Sequence, residues 1–224
     1  MSQGANAVDL HTHSYGSPDG GLTVGDYRQM LSSGGLDWVA ITDHNTIDAA
    51  LEIRQALGEL GERIIVGEEV MTSEGELIGL FLAQTVKPGQ SLRVSAEDIL
   101  GQGGVLYVPH PFETVRSGVT PEALATLEGL PYIVETHNGR AYVGNKGAQA
   151  RAWAEEHGVA QAASSDAHGP LGWGKTYTLM SSAPAPGLDW ARALKHATLK
   201  RGRVGLGVVY PKYHRLRKLF RTKT

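Results

Sequence analysis

Cysteine is absent from the 224-residue chain. That excludes disulfides, thiolate metal sites and a cysteine nucleophile, so any metal has to be held by nitrogen and oxygen. No apolar run approaches the ~20 residues that a membrane span requires. The opening stretch MSQGANAV carries neither a basic nor an apolar signal region, so a cytoplasmic location is expected. Low-complexity tracts and repeats at a solenoid or propeller period are missing, as is a glycine-rich dinucleotide loop after the first apolar run. Acids are missing from the end of the chain. Residues 200–224 hold 9 Lys/Arg and no Asp/Glu, whereas residues 1–199 hold 12 Lys/Arg against 23 Asp/Glu. Within this basic segment Tyr213, Leu216, Leu219 and Phe220 recur at helical spacing. Residues 211–224 are therefore expected to form a basic tail on a 1–210 body. The plainer reading is a terminal helix docked on that acidic body, and the sharper one is a footprint for nucleic acid or another polyanion.

What is present is a succession of apolar, β-branched runs: 6–10, 37–42, 63–67, 76–83, 104–109, 131–136 and 159–165. Helical patterns separate most of them. The spacing predicts helices over 23–33, 46–60, 91–100, 121–127 and 145–157, with Thr120 as cap before Pro121 and Gly158 as a stop. Strands alternating with helices imply a parallel sheet, and strands apolar along their whole length imply burial on both faces. The expected fold is a single α/β domain, a distorted (β/α) barrel short of eight units, with a three-layer sandwich as the alternative. Only EVMTSEG joins the third and fourth runs, which makes an antiparallel pair or an irregular corner there.

Six of the apolar runs end in potential metal ligands. His11 and His13 follow the first, Asp43 and His44 the second, and Glu68 and Glu69 the third. His110, then His137 and Asn138, then Asp166 and His168 follow later runs. In a parallel barrel all these ends lie on one rim, where barrel active sites are built. Imidazole and carboxylate suit Zn, Mn or Fe, and paired ions can clamp a phosphoryl centre. In the extended His11-Thr12-His13 segment alternation puts both rings on one side.

The motifs DLHTHSYGSPDG, ITDHNT, GEEV, PHPF, ETHNGR and SSDAHG resemble, in order, those of the PHP (polymerase and histidinol phosphatase) superfamily, in particular its small stand-alone phosphoesterases. The resemblance runs from about residue 8 to residue 175. It implies a distorted (β/α)7 barrel, two or three divalent ions, and hydrolysis of a phosphate ester by a metal-activated hydroxide. Carried over motif by motif, it places His11, His13, Glu69 and Asp166 around one ion. Glu69 would bridge to a second ion held by His110, and Asp19, His44 and His168 would hold a third. Many relatives have a histidine where this chain has Glu76, so either Glu76 replaces it as an oxygen ligand or the second site is weaker or water-filled. His44, His168 and Asp166 are the candidate catalytic residues. Glu68 falls at the variable position of its motif.

Arg116 and Arg140, following two of the rim strands, offer planar forks for phosphate oxygens, with Asn138 and, more weakly, Lys175 beside them. Salt bridges to an acidic rim are the plain alternative for the two arginines. Asp43 is expected to orient His44 or to cap a helix, His137 to sit on the rim, and His157, His196 and His214 on the surface. The substrate would be a nucleotide, a short oligonucleotide or a small phosphometabolite. Two other readings compete. One is an amidohydrolase cleaving a C–N bond, disfavoured by the short chain and the missing mid-barrel lysine. The other is a nonhydrolytic module binding nucleic acid through the tail.

Overall fold

Side chains alternate between two apolar environments along the inner strands, and this alternation shapes the protein. The computed structural model describes residues 5–221, apart from the side chains of residues 220 and 221, so Phe220 of the predicted stripe falls outside it. The strands are β1 (Asn6–Asp9), β2 (Trp38–His44), β3 (Ile64–Thr72), β4 (Gly75–Leu80), β5 (Val105–Val108), β6 (Tyr132–Asn138), β7 (Ala160–Ser164), β8 (Thr176–Met180) and β9 (Thr198–Arg201). The helices are α1 (Val24–Ser32), α2 (Asp48–Ala56), α3 (Leu92–Gly101), α4 (Pro121–Ala125), α5 (Gly147–Glu156), α6 (Trp190–Leu194) and α7 (Tyr210–Arg221). None of the described helices is long and apolar enough to cross a membrane.

The sheet order is β7-β6-β5-β4-β3-β2-β1-β8-β9. Strands β1, β2, β3, β5, β6 and β7 run the same way, and β4 and β8 run against them. Ala40, Ile65, Tyr107 and Ile133 point into the barrel with Val8 and Leu80. Their neighbours Val39, Ile41, Val66, Leu106, Val108 and Val134 point out and pack against the helices through Met30, Ile53, Ile99 and Leu124. Period-2 alternation with both faces apolar is what two-sided burial requires.

The barrel closes where the chain leaving β7 meets the chain leaving β1. Asp166 N–H donates to His11 O at 2.9 Å and His13 N–H to Ala167 O at 2.9 Å. Below this point β7 and β8 are joined by a side chain, as Thr178 Oγ1 accepts from Ala163 N and donates to Ala163 O.

Local chemistry explains the helix starts. Thr23 and Asp26 form a reciprocal capping box on α1, Ser91 caps α3, and Thr120 caps α4 with Pro121 in its first turn. The barrel class matches the expectation, but its composition differs. The fourth apolar run is antiparallel because the turn at Ser73–Glu74 is too short for a crossover. Six strands therefore pair in parallel, and β9, antiparallel to β8, runs the same way without a parallel neighbour. β8 and β9, which the apolar runs did not announce, complete the sheet. β9 is Thr-Leu-Lys-Arg, largely exposed, and has no buried run to betray it.

Candidate metal centre

Six parallel strand ends converge on one buried cluster. His44 on β2 lies beside Glu69 on β3 in the parallel register, and His44 Nδ1 is 3.2 Å from Glu69 Oε2. His110, after β5, places Nε2 3.2 Å from Glu69 Oε1 and 3.7 Å from Glu76 Oε2. His13 Nε2 lies 3.2 Å from Glu69 Oε2 and 3.5 Å from Asp166 Oδ1. Asp19 Oδ1 lies 3.6 Å from His44 Nε2 and 3.7 Å from His168 Nε2. All nine residues expected as ligands are thus brought together. Among the described residues, four overlapping sets offer donor atoms close enough to hold an ion: His11–His13–Asp166, His11–Glu69–His110, His44–Glu69–Glu76 and His13–His44–His168.

Hydrogen bonds behind the rings fix which nitrogen faces inward. His11 Nδ1 lies 3.3 Å from Glu135 Oε1, and His13 Nδ1 lies 3.0 Å from Ser17 Oγ, which itself donates to Asp43 Oδ1. Each Nδ1 therefore carries the proton and donates it outward. The two Nε2 lone pairs then face each other across 3.0 Å. Such a pair has to share a cation, a proton in the metal-free protein or a metal ion in its place. The donor set thus fits a nitrogen- and oxygen-ligated divalent ion. Asp19 Oδ1 is buried without a hydrogen-bond partner, as suits an atom aimed at such a centre.

The electrostatics describe the same demand for positive charge. Burial alone would lower the His13 pKa, but hydrogen bonds to Asp166 and Glu69 outweigh it and push it up to about 9. His11 behaves likewise against Asp166, Glu69 and Glu135 and is held well above the usual imidazole range. Burial would raise Glu69 and Asp166. The histidines around Glu69, and Arg140 with His11 beside Asp166, instead hold both well below the ordinary carboxylate range. Burial and then the neighbouring Glu69 push Glu76 up to about 7. Burial, reinforced by Arg140, keeps His168 well below its ordinary value. Burial also lowers His44.

The backbone is strained at two of these positions. His110 has φ 28° and Asp166 φ 53°, a left-handed region that costs a side chain on the order of 1–3 kcal/mol. Glu135 Oε2 accepts the His110 amide at 2.8 Å, and His11 O accepts that of Asp166.

The remaining expectations resolve by geometry. Glu68 points to the other face of β3, where it accepts from Val86 N at 2.8 Å and burial raises it to about 7. Asp43 neither orients His44 nor caps a helix. It gathers the loop after β1, accepting from the backbone N–H and hydroxyl groups of Ser14 and Ser17. A bulge between Glu135 and His137 shifts the parity of β6. Asn138 therefore turns inward to Glu135 and Asp166, while His137 turns to Gly202 O. Arg116 Nη1 lies 2.6 Å from Asp166 Oδ2, and Arg140 Nη1 lies 3.2 Å from Asp166 Oδ1. Lys175 is exposed and lies outside the cavity lining.

His214, expected on the surface, is buried, because α7 docks through Pro211, His214, Arg215 and Lys218 rather than through its apolar stripe. Tyr213 and Leu216 stay exposed. Glu135 was not foreseen as a site residue. Its signal was a lone acid ending the buried run YIV, masked by the histidine two positions on.

A cavity of about 570 Å³ opens over the cluster, bounded at its mouth by Val115, Arg116, Arg140, Pro211, Lys212 and Arg215. A barrel whose strand ends gather imidazoles and carboxylates beneath an open, cation-rimmed cavity has the architecture of a metal-dependent hydrolase. The PHP domain family model matches residues 9–162, more than half of the chain, and the protein belongs to that family. Asp166, His168 and α7 lie beyond the matched segment.

An uncharacterized protein of Methanocaldococcus jannaschii, MJ1587, is 36% identical over 118 residues, which is 48% of this chain and 69% of that protein. Among solved structures, a two-domain protein containing a predicted PHP-like metal-dependent phosphoesterase from Bacteroides vulgatus superposes with a TM-score of 0.72. It has 19% identity and covers 88% of this chain and 65% of its own. The lesion-specific endonuclease Q of Pyrococcus furiosus gives a TM-score of 0.64 at 14% identity, covering 87% of this chain and 57% of that one. At these identities the two structures share the fold, and this chain spans less than two thirds of either.

Proposed function

We propose that this protein hydrolyses a phosphate ester with divalent ions, Mn, Zn or Fe, held at the barrel rim, and that its substrate is a nucleotide, a short oligonucleotide or a small phosphometabolite. The observation that carries the reading is the meeting of the His11 and His13 Nε2 atoms at 3.0 Å, ringed by Glu69 and Asp166. His11, His13, Glu69 and Asp166 would hold one ion. Glu69, His110 and Glu76 would hold a second, and Asp19, His44 and His168 a third. Ions bound there supply Lewis-acid activation of water and neutralise phosphoryl charge.

This chain's own residues do the rest. Arg116 and Arg140 both lean on Asp166. With Asp166 engaged by an ion, their forks would be available to receive phosphate oxygens at the cavity wall. Asn138 accepts from Arg116 Nη1 and Arg140 N, and so keeps the two strand-end loops in register. His44 or His168 is the candidate proton donor to the leaving oxygen, but burial lowers both, so bound water takes that role wherever they stay neutral or engage an ion. Arg203 stacks on the exposed Tyr142 at 5.1 Å, and on α7 Lys212 lines the cavity next to the exposed Tyr213. Cations interleaved with aromatic faces favour a substrate carrying a base. Among the described residues lining the cavity the only lysine is Lys212, at the mouth, so the lysine-bridged amidohydrolase arrangement has no counterpart.

The test is phosphate release by the protein, stripped with chelator and reloaded with Mn, Zn or Fe, against a model ester and a panel of nucleotides, oligonucleotides and sugar phosphates. Reloaded protein should turn over, and His13→Ala should not. Undiminished activity in chelator would overturn the reading. Tight oligonucleotide binding without turnover would favour the binding-module alternative.

A further inference from the structure

Helix α7 lies against the mouth of the site. Pro211, His214, Arg215 and Lys218 recur at the spacing of one helical face, and this face meets the loop between β1 and α1. The fit is close. A Cβ on Gly21 would come within 2.2 Å of the His214 ring, and one on Gly169 within 2.6 Å of the Tyr210 ring. Lys218 Nζ donates to the carbonyls of Tyr15, Ser17 and Gly20. Between these anchors, Arg215 Nη2 donates to Asp19 Oδ2 at 2.8 Å.

The two oxygens of Asp19 are thereby divided. Oδ2 is held from outside by the guanidinium. Oδ1, buried and without a hydrogen-bond partner, is aimed at the gap between His44 Nε2 and His168 Nε2. Asp19 sits in a Ser-Pro-Asp-Gly-Gly loop with no strand to stiffen it, so something else has to fix the carboxylate plane. A free carboxylate in a loop would rotate, and an oxygen ligand that rotates loses affinity for its ion.

We propose that Arg215 is a positioning residue of the outermost cation position. By holding Asp19 Oδ2 it presents Oδ1 beside His44 and His168, so that filling of this position by a divalent ion depends on the C-terminal helix. The inference rests on the metal-hydrolase reading above, but nothing in the matched family segment, which ends at residue 162, supplies Arg215. The charge of Arg215 argues for positioning over direct ligation, since a guanidinium repels a cation and has no lone pair to offer it.

Chelator-stripped full-length protein titrated with Mn by calorimetry, with the ions retained after gel filtration counted by elemental analysis, tests this. In Arg215→Met the weakest of the wild-type binding steps should weaken by about 10–100-fold, and one ion fewer should survive gel filtration. The tighter steps should keep their affinity. Arg215→Lys, which retains a donor and a charge, should fall between, and it reads the same position should the Met variant fail to fold. Arg217→Met, on the same helix, should leave every step unchanged. Wild-type stoichiometry and affinities in both Arg215 variants, or tighter binding in Arg215→Met, would overturn the proposal while leaving the hydrolase reading intact. Wild-type protein that binds no divalent ion would overturn both.

Discussion

Glu135 reaches behind His11 and His110 at once: Oε1 lies 3.3 Å from His11 Nδ1, and Oε2 accepts the His110 amide at 2.8 Å. Tyr107 O–H and Asn138 Nδ2 complete its four contacts. Burial would raise this carboxyl, but the adjacent His11 holds it below the ordinary range, so it stays an anionic acceptor. Replacing one oxygen by an amide nitrogen sets donor against donor while conserving shape. Glu135→Gln should therefore weaken divalent-ion binding by about 10–100-fold, with phosphate release falling in parallel at sub-saturating metal. Competition with a chelating dye measures it. An unchanged affinity would mean that Glu135 merely fills space.

Protons and metal ions should act in opposite directions on stability. With its folded pKa raised from 6.5 to about 9, His13 stabilises the metal-free fold by binding a proton. That contribution is complete below pH 6.5 and is lost as pH climbs through 9. His11 acts in the same sense. His44 and His168, whose values are lowered, destabilise instead, and only as pH falls through 6.5 and below. The urea midpoint of chelator-treated protein should consequently drop between pH 7 and 9.5. A metal ion has to displace the His13 proton, so metal affinity should rise over the same interval. A midpoint that climbs with pH in chelator would contradict the assigned protonation.

Strand ends were legible because six of the seven apolar runs stop at a candidate ligand, and burial on both faces leaves a long apolar signature. The antiparallel turn at β4 was half-legible, since EVMTSEG is too short for a crossover. β8 and β9 were not legible: Thr176, Tyr177 and Thr178 carry little apolar signal, and Lys200 and Arg201 of β9 lie exposed. Side-chain direction is also poorly written in sequence once a strand bulges. His137 looked like the rim residue of β6, but the shifted register handed the inward position to Asn138 and left Glu135 behind the cluster. The tail misled in a similar way. Its apolar positions 213 and 216 have helical spacing, but the docking face is the polar one, because the loop it meets offers a carboxylate and three carbonyls rather than an apolar groove.

The seam of the barrel gives a prediction about stability that is independent of the metal. Thr178 Oγ1 accepts from Ala163 N at 2.9 Å and donates to Ala163 O at 3.0 Å. The hydroxyl thus stands in for a backbone rung between β7 and β8, and both residues are fully buried. Thr178→Val keeps the volume but strands one N–H and one C=O in an apolar interior, which costs about 1–3 kcal/mol for each unsatisfied group. For a chain of this size each kcal/mol lowers Tm by about 2–4 °C. Calorimetry of the Val variant should show a loss of several degrees, and Thr178→Ser, which restores the hydroxyl, should recover most of it. Metal stoichiometry should stay at the wild-type value in both, since the seam lies below the cluster. A Val variant as stable as wild type would show that β7 and β8 are held by packing alone.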